Sequence, residues 1–302
     1  MKITRSRFLA PLAVVVSATL LTACGSSDSV DSSASSESEA IVIGSQDYYS
    51  NEIIAEIYAQ ALEAGGHEVQ RDFRIGQREV YVSEIENGSI DLFPEYSGPL
   101  LQYWEPNTEA RLSEDVYTAL EAAAPENLKI LEQSEATDQD AYVVTRAFAE
   151  QYGLKTIEDL AKVDVPLTLG GNSEGENRPN GPKGLASAYG INVGFTPIED
   201  SGGPLTVKAL TDNQIQLAII YTADPTISDN DLVVLEDTKG LFLASHVVPV
   251  ASADLDPAAQ EIINKVSTEM SPEELIALNA QSVNDQANAA DIAAGWLEEN
   301  PV

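Results

Sequence analysis

The chain has 302 residues, 49 of them Asp or Glu against 16 Lys or Arg, for a formal net charge of −33. A field of that sign repels nucleic acid and anionic lipid headgroups, so nucleic acid is not an expected partner. A single cysteine and two histidines exclude a disulfide framework and a metal cluster of recognisable spacing, and no cofactor is expected.

The first segment, Met1 to Arg7, is basic and carries no acid. An apolar run from Phe8 to Leu21 follows, too short to span a bilayer comfortably, and Leu21-Thr22-Ala23-Cys24 ends on the only thiol. This pattern resembles a bacterial lipobox, which implies a signal peptide over residues 1–23 and a lipid-anchored Cys24 at the mature N-terminus. Residues 24–40, rich in Ser and acids, have almost nothing to bury and read as a disordered tether. With Cys24 modified, the fold must hold by burial alone, and a chain 43% hydrophobic can do so as one large or two medium domains.

Folding begins with a predicted strand at Ile41–Gly44. Ser50 is the expected N-cap of a helix whose Ile53, Ile54, Ile57, Ala61 and Leu62 share one face, stopped by Gly65-Gly66. A strand at 69–75, a helix at 78–87 and a strand at 90–93 ending in Pro94-Glu95-Tyr96 come next. Further strands are expected at 128–131, 141–145, 166–169, 217–221, 232–235 and 247–250. Helices are expected at 113–123, 147–152, 156–161, 183–189, 204–211, 257–270, 272–280 and 285–299. Strands alternating with helices predict an α/β fold with mainly parallel sheets, where ligands sit at the carboxyl ends of strands.

Catalytic patterns are weak. Gly171-Asn172-Ser173-Glu174-Gly175 matches G-x-S-x-G, with His246 as a base and Asp224 or Asp231 as its orienter. A nucleophile elbow needs a helix directly after the serine, whereas Arg178-Pro179-Asn180-Gly181-Pro182 is loop chemistry. An anchored serine hydrolase is thus the alternative of another class, and the chain is not expected to be an enzyme. His67 reads as a surface residue after a helix stop.

Tyrosines at strand ends carry more information. Tyr96, Tyr142 and Tyr221 each lie near a carboxylate: Glu95, Asp140 and Asp224. Tyrosine rings attract a quaternary ammonium without any hydrogen bond. With Ile43-Gly44-Ser45, Glu95-Tyr96-Ser97-Gly98, Asp140-Ala141-Tyr142, Arg178-Pro179-Asn180-Gly181, Tyr221-Thr222-Ala223-Asp224, Leu235 to Gly240 and Leu278-Asn279, the chain from 41 to 302 resembles the solute-binding proteins of ABC importers for glycine betaine, choline and related solutes.

That resemblance implies a two-lobed periplasmic-binding-protein-like fold of type II, closing on its ligand. Lobe I is expected over 41–142 plus 245–302, and lobe II over 143–244. It also implies that Tyr96, Tyr142 and Tyr221 form a cage, that Asp140 is the acid beside it, and that Arg178 holds a ligand carboxylate; the alternative for Arg178 is a tie to a neighbouring acid such as Glu176. The chain departs from the family pattern where Gln46 replaces a lysine, Ser245, next to His246, replaces a tyrosine, and Pro99 replaces a hydroxyl residue. A more open cage is expected, with Tyr48, Tyr49 or His246 available to fill the gap. The expected function is a lipid-anchored, monomeric, extracytoplasmic receptor that delivers a betaine or other quaternary ammonium compound to an ABC permease. Carnitine and ergothioneine are the larger alternatives.

Overall fold

The computed structural model describes residues 40–302; the leader, Cys24 and the tether up to residue 39 lie outside the described residues. In chain order the elements are β1 (Ile41–Gly44), α1 (Tyr49–Ala64), β2 (Val69–Asp72), α2 (Arg78–Glu86), β3 (Leu92–Tyr96), α3 (Ser97–Trp104), α4 (Ser113–Ala123), β4 (Leu128–Ile130), β5 (Asp140–Thr145), α5 (Arg146–Tyr152), β6 (Thr168–Gly171), α6 (Pro182–Tyr189), β7 (Gly194–Pro197), α7 (Pro204–Thr211), β8 (Leu217–Tyr221), α8 (Thr226–Asp229), β9 (Leu232–Val234), β10 (Val247–Ser252), α9 (Pro257–Glu269), α10 (Pro272–Val283) and α11 (Ala289–Glu299).

They build two five-stranded sheets, ordered β2-β1-β3-β10-β4 and β7-β6-β8-β5-β9. The sheets are mixed rather than mainly parallel. β1 runs parallel to β2 and β3, and β6 parallel to β7 and β8. β10 is antiparallel to β3 and β4, and β5 to β8 and β9. β5 and β10 are the strands that enter each sheet directly from the other lobe, without the helical crossover that parallel pairing requires.

Each sheet is covered on both faces, and the strands alternate accordingly. On β3, Leu92 and Tyr96 join the core under α1, α9 and α11, with Ile57, Ile263 and Trp296; Phe93 joins the core under α2, α3 and α4, with Tyr81, Leu101 and Leu120. In the second lobe Leu169, Leu185 and Leu217 pack on one face, and Val207, Leu210 and Ile220 on the other. Full burial of each such aliphatic side chain contributes about 1.5–3 kcal/mol.

Several local expectations change. α1 starts at Tyr49 with Tyr48 as its N-cap, and Ser50 lies inside the helix. α3 has no apolar period long enough to announce it, and Gly98-Pro99 suggests a break; both residues fall in its first turn, where no intrahelical N–H is needed. β7 is framed by Gly194 and Pro197 and survives as an edge strand. The 156–161 helix is a 3-10 turn, Ile157–Lys162, closed by a Thr156/Asp159 capping box.

Two segments cross between the sheets, and they pair. Thr137 bridges His246; the Ser134 N–H donates to the Val247 carbonyl at 2.9 Å, Val247 to Ala136 at 3.0 Å, and Asp138 to Ser245 at 3.3 Å. The boundary expected after Tyr142 falls inside β5, because Asp140 and Tyr142 already pair with Tyr221 and Ile219 of the second sheet. On the return, Phe242 packs in the second lobe's core and Leu243 in the first lobe's.

Candidate functional site

The turn after β1 and the end of β8 bring tyrosines from both lobes together. The Tyr48 ring lies 4.6 Å from Tyr221, tilted at 44°, and 4.9 Å edge-on from Tyr49. Tyr96, at the end of β3, is 5% exposed, and its hydroxyl is buried without a hydrogen-bond partner among the described residues. Burial drives the Tyr96 and Tyr221 phenols upward, so both stay neutral.

Three acids surround these rings. Asp138, 3% exposed in the first crossing segment, accepts from the Tyr48 hydroxyl at 3.1 Å and the Ala223 N–H at 2.9 Å. Burial pushes its carboxyl up to about 7, against the opposing effect of those two hydrogen bonds. Asp224 accepts from Tyr49 at 2.9 Å and from Thr226, and burial raises it too. Asp140 accepts from the Asn180 amide at 2.8 Å; burial raises it while Arg178 and Arg78 pull it down. None of the three forms an ion pair with any cation among the described residues.

Beside the acids stand two guanidiniums. Arg78, 7% exposed, forks onto Glu95 at 2.7 and 3.0 Å, and Glu95 also accepts from Tyr81 and from the Tyr96 N–H. This network fixes Tyr96 at its strand end. Arg178, in the loop before α6, forks across to Glu79 on α2 at 3.0 and 2.9 Å, with Gln77 at 3.4 Å. Its partner is therefore an acid of the opposite lobe rather than Glu176.

Space follows the cleft. A cavity of about 440 Å³ is lined by Arg78, Pro99, Asp140, Arg178 and Asn180. A second of about 440 Å³ opens by Tyr48, Tyr49, Arg74 and Ser201. Between them Asp140, Arg178, Asn180 and Tyr221 enclose only about 20 Å³. Tyr48, one of the residues expected to be available at the gap, stands against Tyr221.

Not every expected residue joins this cluster. Tyr142 is 0% exposed in the second lobe's core, edge-on to Phe242 at 4.9 Å, and its hydroxyl donates to the Asn180 carbonyl at 2.6 Å. It props the Arg178–Asn180 loop from below and does not meet the other rings. Ser245 donates to the Asp138 carbonyl at 3.2 Å and belongs to the paired crossing segments. His246 holds its Nδ1 2.9 Å from the Ser134 carbonyl and is tied to the same place. Gln46 is buried in the turn before α1, its N–H donating to Asn51.

The hydrolase arrangement is not assembled. Ser173 opens a short 3-10 turn and its N–H donates to Glu199; no hydrogen bond joins it to His246 among the described residues. Asp224 is committed to Tyr49 and Thr226, and Asp231 to Arg146. Among the described residues no group of His, Cys, Asp and Glu could hold a metal ion, and no helix is long and apolar enough to cross a membrane.

Comparison with known proteins agrees with this architecture. The OpuAC family, the substrate-binding domain of ABC-type glycine betaine transport systems, matches residues 39–299. The carnitine transport binding protein OpuCC of Listeria monocytogenes is 29% identical over 163 residues, 53% of this chain and 52% of that protein. The ergothioneine transport permease/ergothioneine binding protein EgtU of Helicobacter pylori is 24% identical over 269 residues, 87% of this chain and 48% of that protein. The chain thus spans about half the length of these curated relatives. The crystal structure of a glycine betaine/carnitine/choline ABC transporter protein, 23% identical, superposes with a TM-score of 0.68 over 86% of this chain and 98% of that one, and shares the two-lobed type II binding-protein fold. The chain belongs to the family of substrate-binding domains of ABC-type glycine betaine transport systems, extracytoplasmic solute receptors and not enzymes.

Proposed function

We propose that this chain captures a quaternary ammonium solute between its lobes and presents it to an ABC permease. The observation that carries this reading is Asp138, a buried carboxylate with no cationic partner among the described residues, set against Tyr48 and close to Tyr96 and Tyr221. A desolvated acid among ring faces is an unfavourable arrangement until a cation enters, and a methylated ammonium meets both the charge and the π-faces. Asp140 and Asp224 extend the negative wall. Tyr142, Ser245 and His246 contribute by holding the Arg178 loop and the crossing segments. The names of the relatives support choline, betaine, carnitine and ergothioneine as the solutes to compare.

One lobe comprises 41–138 plus 243–302, and the other the residues between. Binding draws them together, and the permease reads the closed form. Cys24 anchors the monomeric receptor by lipid outside the membrane, with residues 25–40 as the tether; metabolic labelling with a palmitate analogue should mark the wild type and not Cys24→Ser. The function is tested by thermal shift. At least one of choline, glycine betaine, carnitine and ergothioneine should raise the melting temperature in proportion to the logarithm of its concentration. No shift with any of the four would reject the reading.

A further inference from the structure

The arginines of the cleft are already taken. Arg74, Arg78 and Arg178 line its cavities, and each pairs with an acid of the first lobe: Arg74 with Glu52 and Asp47, Arg78 with Glu95, Arg178 with Glu79. Gln46 adds no charge. The acids nearest the tyrosines, Asp138, Asp140 and Asp224, have no such partner among the described residues. Among the described residues, the cleft therefore offers a solute carboxylates without an ion-pair partner beside guanidiniums that are already paired.

The Arg178 pair is the decisive one. Its Nε and Nη2 both point at Glu79, one to each carboxylate oxygen, which uses the edge of the guanidinium best suited to a carboxylate. Glu79 sits in the first turn of α2, where the helix dipole also favours its negative charge. Burial would raise its carboxyl, but the Arg178 hydrogen bonds and charge outweigh that and hold it below the ordinary range. A ligand carboxylate that wanted Arg178 would have to displace an acid already held at high effective concentration by the fold. It would also cost the bidentate pair between the half-exposed Glu79 and the largely buried Arg178.

We propose that Glu79 is a specificity-determining residue: it occupies Arg178 in the closed receptor, so the site favours cations that lack a carboxylate over zwitterions that carry one. This rests on the quaternary ammonium reading above. Choline leaves the pair intact, whereas glycine betaine must compete with it. Glu79 acts by attraction to Arg178 and by exclusion of the ligand's anion, the two sides of a specificity device.

Glu79→Gln removes the competing charge and keeps the side chain's size. By titration calorimetry the wild type should bind choline more tightly than glycine betaine. The variant should gain about tenfold or more for betaine relative to choline. A second measurement does not depend on either solute. Phenylglyoxal modification of Arg178, followed by peptide mass spectrometry, should be slow in the wild type and fast in Glu79→Gln, and acetate should protect the variant. If neither solute binds the wild type, the labelling rates alone decide whether Glu79 masks Arg178, and the function reading is decided separately by the four-solute thermal shift. Equal changes for choline and betaine, or equal labelling rates, overturn the proposal.

Discussion

Replacing Asp138 with asparagine should make the ligand-free protein more stable at pH 8 while impairing its binding. The carboxyl moves from an ordinary 3.8 to about 7 on folding. Because the folded value lies above the unfolded one, the stability this group contributes is full below about pH 4 and is lost as pH rises through 7. At pH 8 the folded state therefore carries a destabilisation of at most ~4 kcal/mol from ionising this one acid. The amide in Asp138→Asn would keep an acceptor for the Ala223 N–H and lose the Tyr48 bond, which returns about 1 kcal/mol. A net gain of ~2–3 kcal/mol corresponds to a melting-temperature rise on the order of 5–10 °C. Ligand-free melting from pH 4.5 to 8.5 should show the two proteins closest at the acid end, drawing apart as pH rises to 7 and keeping a constant difference above it. Choline affinity, by calorimetry, should fall by about 2–5 kcal/mol in the variant, because the cation loses its buried counter-ion. If the two proteins melt alike at pH 8 and bind alike, Asp138 is a structural acceptor and the cage has no anionic floor.

The remaining expectations test the neighbours. Tyr48→Ala should weaken a quaternary ammonium by about 1–2 kcal/mol, and Tyr48→Phe by less, since the ring is retained; equal losses on calorimetry would mean the hydroxyl alone matters. Tyr142→Phe should leave the Asn180 carbonyl short of its donor and lower urea stability by about 1–3 kcal/mol; an unchanged midpoint with lost binding would put Tyr142 back in the cage. Glu95→Gln breaks a buried ion pair that also fixes the Tyr96 N–H and should cost about 3–5 kcal/mol in denaturant melts. Ser173→Ala should bind like the wild type, and neither protein should react with a fluorophosphonate; stoichiometric labelling of Ser173 would contradict a receptor.

What the sequence discloses depends on how local the cause is. The helical face of Ile53, Ile54 and Ile57 and the stop at Gly65 are local, and this helix stands where periodicity puts it. The direction of β5 and β10 is not local: it follows from where the chain crosses between lobes, and no pattern within Asp140–Thr145 encodes it. Tyr96 and Tyr221 stand out in the sequence as tyrosines at strand ends beside acids, whereas Asp140 and Arg178 stand out only through the family resemblance. Tyr142 carries the same signature and points into the core instead, since its place on β5 turns it under the Asn180 loop. Asp138 and Glu79 were silent, because each acquires its meaning from a residue of another segment, Tyr48 at 90 positions and Arg178 at 99.

The paired crossing segments have a kinetic consequence. Asp138 is a rung of the ladder formed by the crossing segments, through its N–H to Ser245, and in the function proposed above it is also the charge that would meet the solute. In that proposal the sensing group and the pivot are one residue. No relay has to carry news of occupancy from a distant pocket to the bending point. Capture should therefore appear in stopped-flow tyrosine fluorescence as one exponential that saturates with solute concentration, with no lag between the loss of the open form and the quenching of the cage.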